Sequence, residues 1–132
     1  MFNYVEWLED GKRSVVRQAL REARDSGISP PNKLYISFSI NYPKVKVPRD
    51  IASSDDEIKI AIYDDFWNLS VDDELFSVEL LVNNNRQLFV IPFKAVRTFI
   101  DPGAEFALQF EPPEFPFLGD NVIPFERFKS SK

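Results

Sequence analysis

The sequence has no cysteine and no histidine, and only four glycines among its 132 residues. Without cysteine there is no disulfide scaffold, thiolate zinc site or catalytic thiol. Without histidine there is no Ser-His-Asp triad and no imidazole base near neutral pH. Chemistry would have to rest on Asp, Glu, Lys or Tyr alone. The composition therefore argues against an enzyme, and no catalytic residue, metal or cofactor is expected. Four scattered glycines form no phosphate-cradling loop. No apolar run approaches the ~18 residues of a membrane span. Glu6, Glu9 and Asp10 interrupt the start, where a secretory signal needs an apolar stretch. Cytoplasmic residence without membrane contact is the default expectation. A net charge of -5 speaks against a general DNA or RNA binder.

What is abundant is phenylalanine, at 13 residues, and proline, at 10. The length suits one domain with a modest core. Residues 2–26 read as a helix, with Leu8, Val15, Val16, Ala19, Leu20 and Ala23 near one stripe. Gly11 lies inside this pattern as a break or a close-packing point, and Gly27, Pro30 and Pro31 stop it. The stripe suits packing on the chain's own body or against a second copy.

From residue 34 to 110 the apolar period changes to two. Leu34, Ile36, Phe38 and Ile40 alternate with polar neighbours, and Ile58, Ile60 and Ile62 do the same. Phe76, Val78, Leu80 and Val82 form a third strand. Asn83-Asn84-Asn85 is a tight turn leading to a partner strand at 88–91. Pro92 is expected to open a short helix with Phe93, Val96 and Phe99 on its apolar side, stopped by Asp101-Pro102-Gly103. Phe106, Leu108 and Phe110 make a last strand. Pro43 and Pro48 bracket an extended stretch that cannot be a central strand. The fold class is mainly β: an N-terminal helix with a small antiparallel sandwich or barrel. Residues 1–110 form one domain. In 111–132, Pro112, Pro113, Pro116 and Pro124 preclude a sheet or long helix, yet Phe115, Phe117, Phe125 and Phe128 are present. Such a flexible tail suits an extended ligand for another protein's groove, or a segment that folds back and seals a sheet edge.

No constellation carries chemistry. Asp55-Asp56, Asp64-Asp65 and Asp72-Asp73 read as solvated turns or loops, because neighbours along a strand point to opposite faces. Lys44, Lys46 and Arg49 beside Tyr42 form a small basic strip, which together with exposed aromatics would carry an alternative reading as an Sm-like or OB-like RNA-binding domain.

The blocks LYISFSI (34–40), YDDFWNLSVDDELFSVEL (63–80), IPFKAVRTFIDPGAEFALQF (91–110) and NVIPFERFK (121–129) resemble the SspB adaptor family in its alphaproteobacterial branch. The resemblance implies an Sm-like β-body and an adaptor. The adaptor binds the ssrA degradation tag on products of stalled ribosomes and delivers them to ClpX, the unfoldase of the ClpXP protease. It implies an ssrA-peptide groove at Tyr63, Asp64, Glu79, Leu80, Ala107 and Gln109, where strand 58–63 and its following loop approach strand 76–82 and the last strand. Tyr63 stands where the branch can carry a glutamine. It implies a ClpX-binding motif at Val122, Ile123, Phe125, Glu126, Phe128 and Lys129. It also implies a homodimer through the first helix, assigning Leu8, Val15, Val16, Ala19 and Leu20 to the interface. The Pro-rich tether after Phe110 is short and reaches about 30 Å at ~3.1 Å per residue.

Overall fold

The computed structural model describes residues 2–49, 51 and 56–111. The described part begins with helix α1 (Tyr4–Ser26). Asn3 caps it: its side chain accepts from the Glu6 N–H at 3.2 Å, and the Glu6 carboxylate accepts from Asn3 Nδ2 at 2.7 Å. The first bond satisfies one of the open N–H groups of the helix start, and the second holds the Asn3 side chain in place. Gly27, at φ 73°, ends the helix by donating its N–H to the Ala23 carbonyl. At this left-handed φ glycine carries no Cβ penalty. The helix runs unbroken through Gly11, where an added Cβ would meet nothing within 4 Å beyond the helix's own backbone, so Gly11 is neither a break nor a packing point of the body.

Seven strands follow. They are β1 (Leu34–Ser39), β2 (Glu57–Ile62), β3 (Phe66–Val71), β4 (Leu75–Val82), β5 (Asn85–Pro92), β6 (Val96–Asp101) and β7 (Phe106–Gln109). They form two antiparallel sheets, one ordered β2-β1-β6-β7 and one ordered β3-β4-β5. Ile36, Phe38, Ile60 and Ile62 of the first sheet and Phe76, Val78, Phe89 and Ile91 of the second are buried in a single core. Val16, Leu20 and Ala23 of α1 close this core, with the helix packed against β3 and a 3₁₀ turn at Phe93–Ala95. The mainly β class with an N-terminal helix is as the period change predicts.

Two segments differ from expectation, each for a local reason. The helix expected after Pro92 is one 3₁₀ turn followed by strand β6. Ser37 pairs with Thr98 and Phe38 with Val96, so Arg97 is an extra residue on β6. The bulge spaces Val96 and Phe99 by three, imitating a helical repeat. Strand β3 was not expected at all. Trp67 pairs with Glu79 and Ser70 with Ser77, again one residue too many, and Asn68 takes φ 54°. The apolar alternation is broken there.

Turn chemistry fixes the rest. Asn83 and Asn84 both have left-handed φ (53° and 67°) in a two-residue loop closed by the Val82–Asn85 pair. A two-residue hairpin with this backbone matches the right-handed twist of its strands. Asp72 Oδ1 accepts from the N–H groups of Leu75 and Glu74, both at 2.8 Å, and turns β3 into β4. These bonds, from Leu75 first and then Glu74, hold the Asp72 carboxyl below the usual carboxylate range. A depressed folded pKa gives stability that is present above the unfolded value, near about 3.9, and is lost as the pH falls through the folded value. Thermal melts of an Asp72→Ala variant should therefore run a few degrees below the parent at pH 7. The gap should close only below the ordinary Asp range. A gap that persisted unchanged in acid would show that the charge plays no part.

Candidate peptide-binding site

The β2 strand has β1 on one side only, and among the described residues no strand pairs with its outer edge. Alternate N–H and C=O groups along that edge point away from β1, as edge strands require. Beside it the end of the β4–β5 hairpin stands off from the first sheet. Between them lies a groove of about 540 Å³, within the range of ligand pockets. Its apolar lining comes from Ile58, Ala61, Leu80 and Phe89, and its polar rim from Glu57, Lys59, Tyr63 and Asp65.

Tyr63 follows the last residue of β2, where the chain leaves the sheet. Its ring is held from one side by the Lys33 ammonium, 5.0 Å from the ring centroid. Lys59 Nζ lies 5.0 Å from the centroid of the Tyr35 ring on the neighbouring strand. Such contacts contribute about 0.5–1 kcal/mol each at exposed positions and fix where the cation points. Glu57 is 3.8 Å from Arg97. The groove thus combines an apolar floor, an aromatic wall and charges of both signs along an unpaired strand edge. It can take an extended peptide through backbone hydrogen bonds to β2 and side-chain contacts in the groove. Among the described residues no group of acidic side chains is placed to hold a metal ion.

The six residues expected to line the groove separate in the structure. Tyr63 and Leu80 do line it. Asp64 is exposed in the β2–β3 loop outside the lining, where Asp65 takes its place. Glu79 alternates with the buried Val78 and Leu80 and faces outward. There it accepts from Asn68 Nδ2 at 2.7 Å and pairs with Arg86 at 3.1 Å. Ala107 and Gln109 belong to β7, at the opposite edge of the first sheet. Three strand spacings, about 14 Å, separate β7 from β2. Ala107 and Gln109 therefore do not line this groove. Sequence reasoning missed Ala61 and Lys59, whose period-two position beside Tyr63 was the available signal.

The residues assigned to a helix-mediated dimer also divide. Val16 and Leu20 are 0% exposed and Ala19 packs partly against the same core, so these three serve the chain's own body. Leu8 (63% exposed) and Val15 (44%) face away from it. At 100° per residue they share the helix's outer side with Tyr4, Trp7 and Gly11. The rings of Phe2, Tyr4 and Trp7 cluster there, with centroids 5.5–6.3 Å apart. Val122, Ile123, Phe125, Glu126, Phe128 and Lys129 lie outside the described residues.

Fold and groove together define a class: a small helix-capped β-domain with a strand edge and a groove open to an extended ligand. The chain belongs to the SspB family, described as Stringent starvation protein B, which it matches over residues 7–118. That span contains the groove and most of α1. No curated protein matches the sequence significantly. No helix among the described residues is long and apolar enough to cross a membrane.

Proposed function

We propose that this protein is a cytoplasmic adaptor, not an enzyme, that holds the ssrA tag in the β2 groove and delivers the tagged chain to ClpXP. Membership of the SspB family is the observation that carries the reading. The groove supports it, since an unpaired strand edge beside an apolar trough suits an extended peptide. Residues 122–129 dock on ClpX, with Phe125 and Phe128 as anchors. The tail and tag contacts are each weak. Tethering makes the second contact intramolecular, at ~mM effective concentration.

A second copy covers the outer side of α1. Aromatic and aliphatic side chains there are exposed next to each other, and Gly11 in their midst lets two backbones approach closely. A Leu8→Asp/Val15→Asp chain should elute at half the parent's mass in a sizing experiment and keep its melting temperature within a few degrees, because neither side chain is in the core. Equal elution of parent and variant would remove the dimer from the proposal. The adaptor reading itself is tested by titrating a fluorescent ssrA-tag peptide with the full chain. Saturable binding is expected at micromolar protein, and a flat anisotropy up to tens of micromolar would overturn it.

A further inference from the structure

We infer that Glu9 and Lys12 of α1 act as a surrogate strand on the outer edge of β7, closing an edge through which this chain would otherwise pair with a second copy of itself. The first sheet has two edges, β2 and β7. Phe110 donates its N–H to the Arg97 carbonyl on β6 at 2.8 Å, so its backbone faces into the sheet. Backbone groups alternate in direction along an antiparallel edge strand, so those of Gln109 and Glu111 face away from β6. Both meet α1. Lys12 Nζ donates to the Gln109 carbonyl at 2.8 Å, and Glu9 Oε1 accepts from the Glu111 N–H at 2.9 Å. An ammonium takes the carbonyl and a carboxylate takes the N–H. These are the two kinds of bond that a neighbouring strand would supply.

The pair is held in this position from several sides. Glu9 Oε2 pairs with Lys12 at 2.7 Å, so the carboxylate gives one oxygen to the backbone and the other to its counter-ion. Glu9 is only 7% exposed. A carboxylate so far buried is costly unless it is both paired and hydrogen-bonded, and here it is both. Lys12 also lies 5.6 Å from the centroid of the buried Phe110 ring. At i and i+3 the two side chains share one flank of the helix. Glu9 is in line with the buried Val16 and Leu20, and Lys12 lies between that line and the exposed Leu8.

An unpaired strand edge invites pairing with another chain, and charged side chains, lysine above all, are a common means of blunting it. The four residues of β7, Phe106–Gln109, include no charge, and Phe106 is exposed. The charges come from α1 instead. The edge of β5 is closed differently, by Lys46, which exchanges two backbone bonds with Val90, both at 2.9 Å. No strand covers the outer edge of β2 among the described residues. Guarding β7 therefore leaves β2 as the edge of the first sheet that an incoming strand can use.

Removing the guard tests it. Glu9→Leu with Lys12→Ala deletes both bonds and leaves no buried charge, and replacing a buried ion pair by apolar groups is often neutral for stability. Sedimentation of the full chain is followed from micromolar to submillimolar protein. The double variant should rise with concentration to about twice the parent's mass, as two-fold β7–β7 pairing requires. Adding Ala107→Pro removes an outward N–H that an edge strand can spare, and should return the mass to the parent's. Amide exchange covers the case in which the double variant does not fold. In the parent the Glu111 N–H should exchange at least about tenfold slower than in a free peptide of residues 106–111. Glu9→Gln, which keeps an acceptor oxygen, should retain more of that protection than Glu9→Ala. A folded double variant that keeps the parent's mass would overturn the proposal. So would association that Ala107→Pro leaves unchanged, or a Glu111 N–H as fast as in the peptide. Neither tag nor unfoldase enters these measurements, so their failure would leave the adaptor reading standing.

Discussion

A chain ending at residue 120 should bind the ssrA peptide within about twofold of the full chain, yet fail to accelerate degradation of a tagged reporter at low substrate. The groove residues lie between Ile51 and Phe89, all far from the deleted segment in sequence. What the deletion removes is the link to the unfoldase. Linking two weak contacts raises apparent affinity by about 10²–10⁴ without any new contact. The half-saturating concentration of tagged substrate should therefore rise by about 100-fold toward the value seen with no adaptor. Reporter degradation at several substrate concentrations, with full and shortened chain, reads this directly. Acceleration that survives the deletion would show that Phe125 and Phe128 do not anchor the complex.

The second large effect concerns the groove. Ala61 is a half-buried small side chain on the β2 edge strand, and it lines the trough. Ala61→Trp fills that space, and an aromatic residue suits a strand at least as well as alanine. Tag affinity should fall by tenfold or more, about 1.4 kcal/mol, with the melting temperature within a few degrees of the parent. Ala107→Trp is the matched control. It places the same ring on β7, about 14 Å away across the sheet, and should change affinity by less than about twofold. If Ala107→Trp proved the damaging variant, the groove would have been assigned to the wrong edge.

This pair of variants also marks what a single sequence conveys. α1, β1, β2, β4 and β7 were legible because each carries a repeat, of 3.6 or of two, and β5 was legible as the strand returning from the turn before it. The Asn83-Asn84 turn was legible because few residues accept left-handed φ at two successive positions. β3 and β6 were not legible, and both contain an inserted residue. At Asn68 and Arg97 the bulge shifts the alternation by one, so the apolar positions no longer report a strand. Strand order was not legible either. Nothing in the spacing of Ala107 and Gln109 tells that β7 pairs with β6 instead of approaching β2, because pairing between distant segments leaves no local mark.

The candidate site shows the same division. Tyr63 and Leu80 lie on or beside strands whose period was clear, and both line the groove. Glu79 sits one residue from Leu80, and the period of two sends it to the other face, into its bonds with Asn68 and Arg86. In the helix, one apolar stripe serves two surfaces. Val16 and Leu20 point into the core, while Leu8 and Val15 lie far enough round the axis to face outward. Hydrophobicity alone does not separate them. Contact with the rest of the chain does.

Under the proposed function the tag lies along β2, in the groove that β2 makes with the end of the β4–β5 hairpin. Titrating ssrA peptide into the isotopically labelled full chain and following backbone amide shifts tests it most directly. Saturable shifts concentrated at residues 57–65 and 80–82 are expected, with residues 106–109 unmoved. Shifts centred on 106–109, or none at saturating peptide, would contradict it.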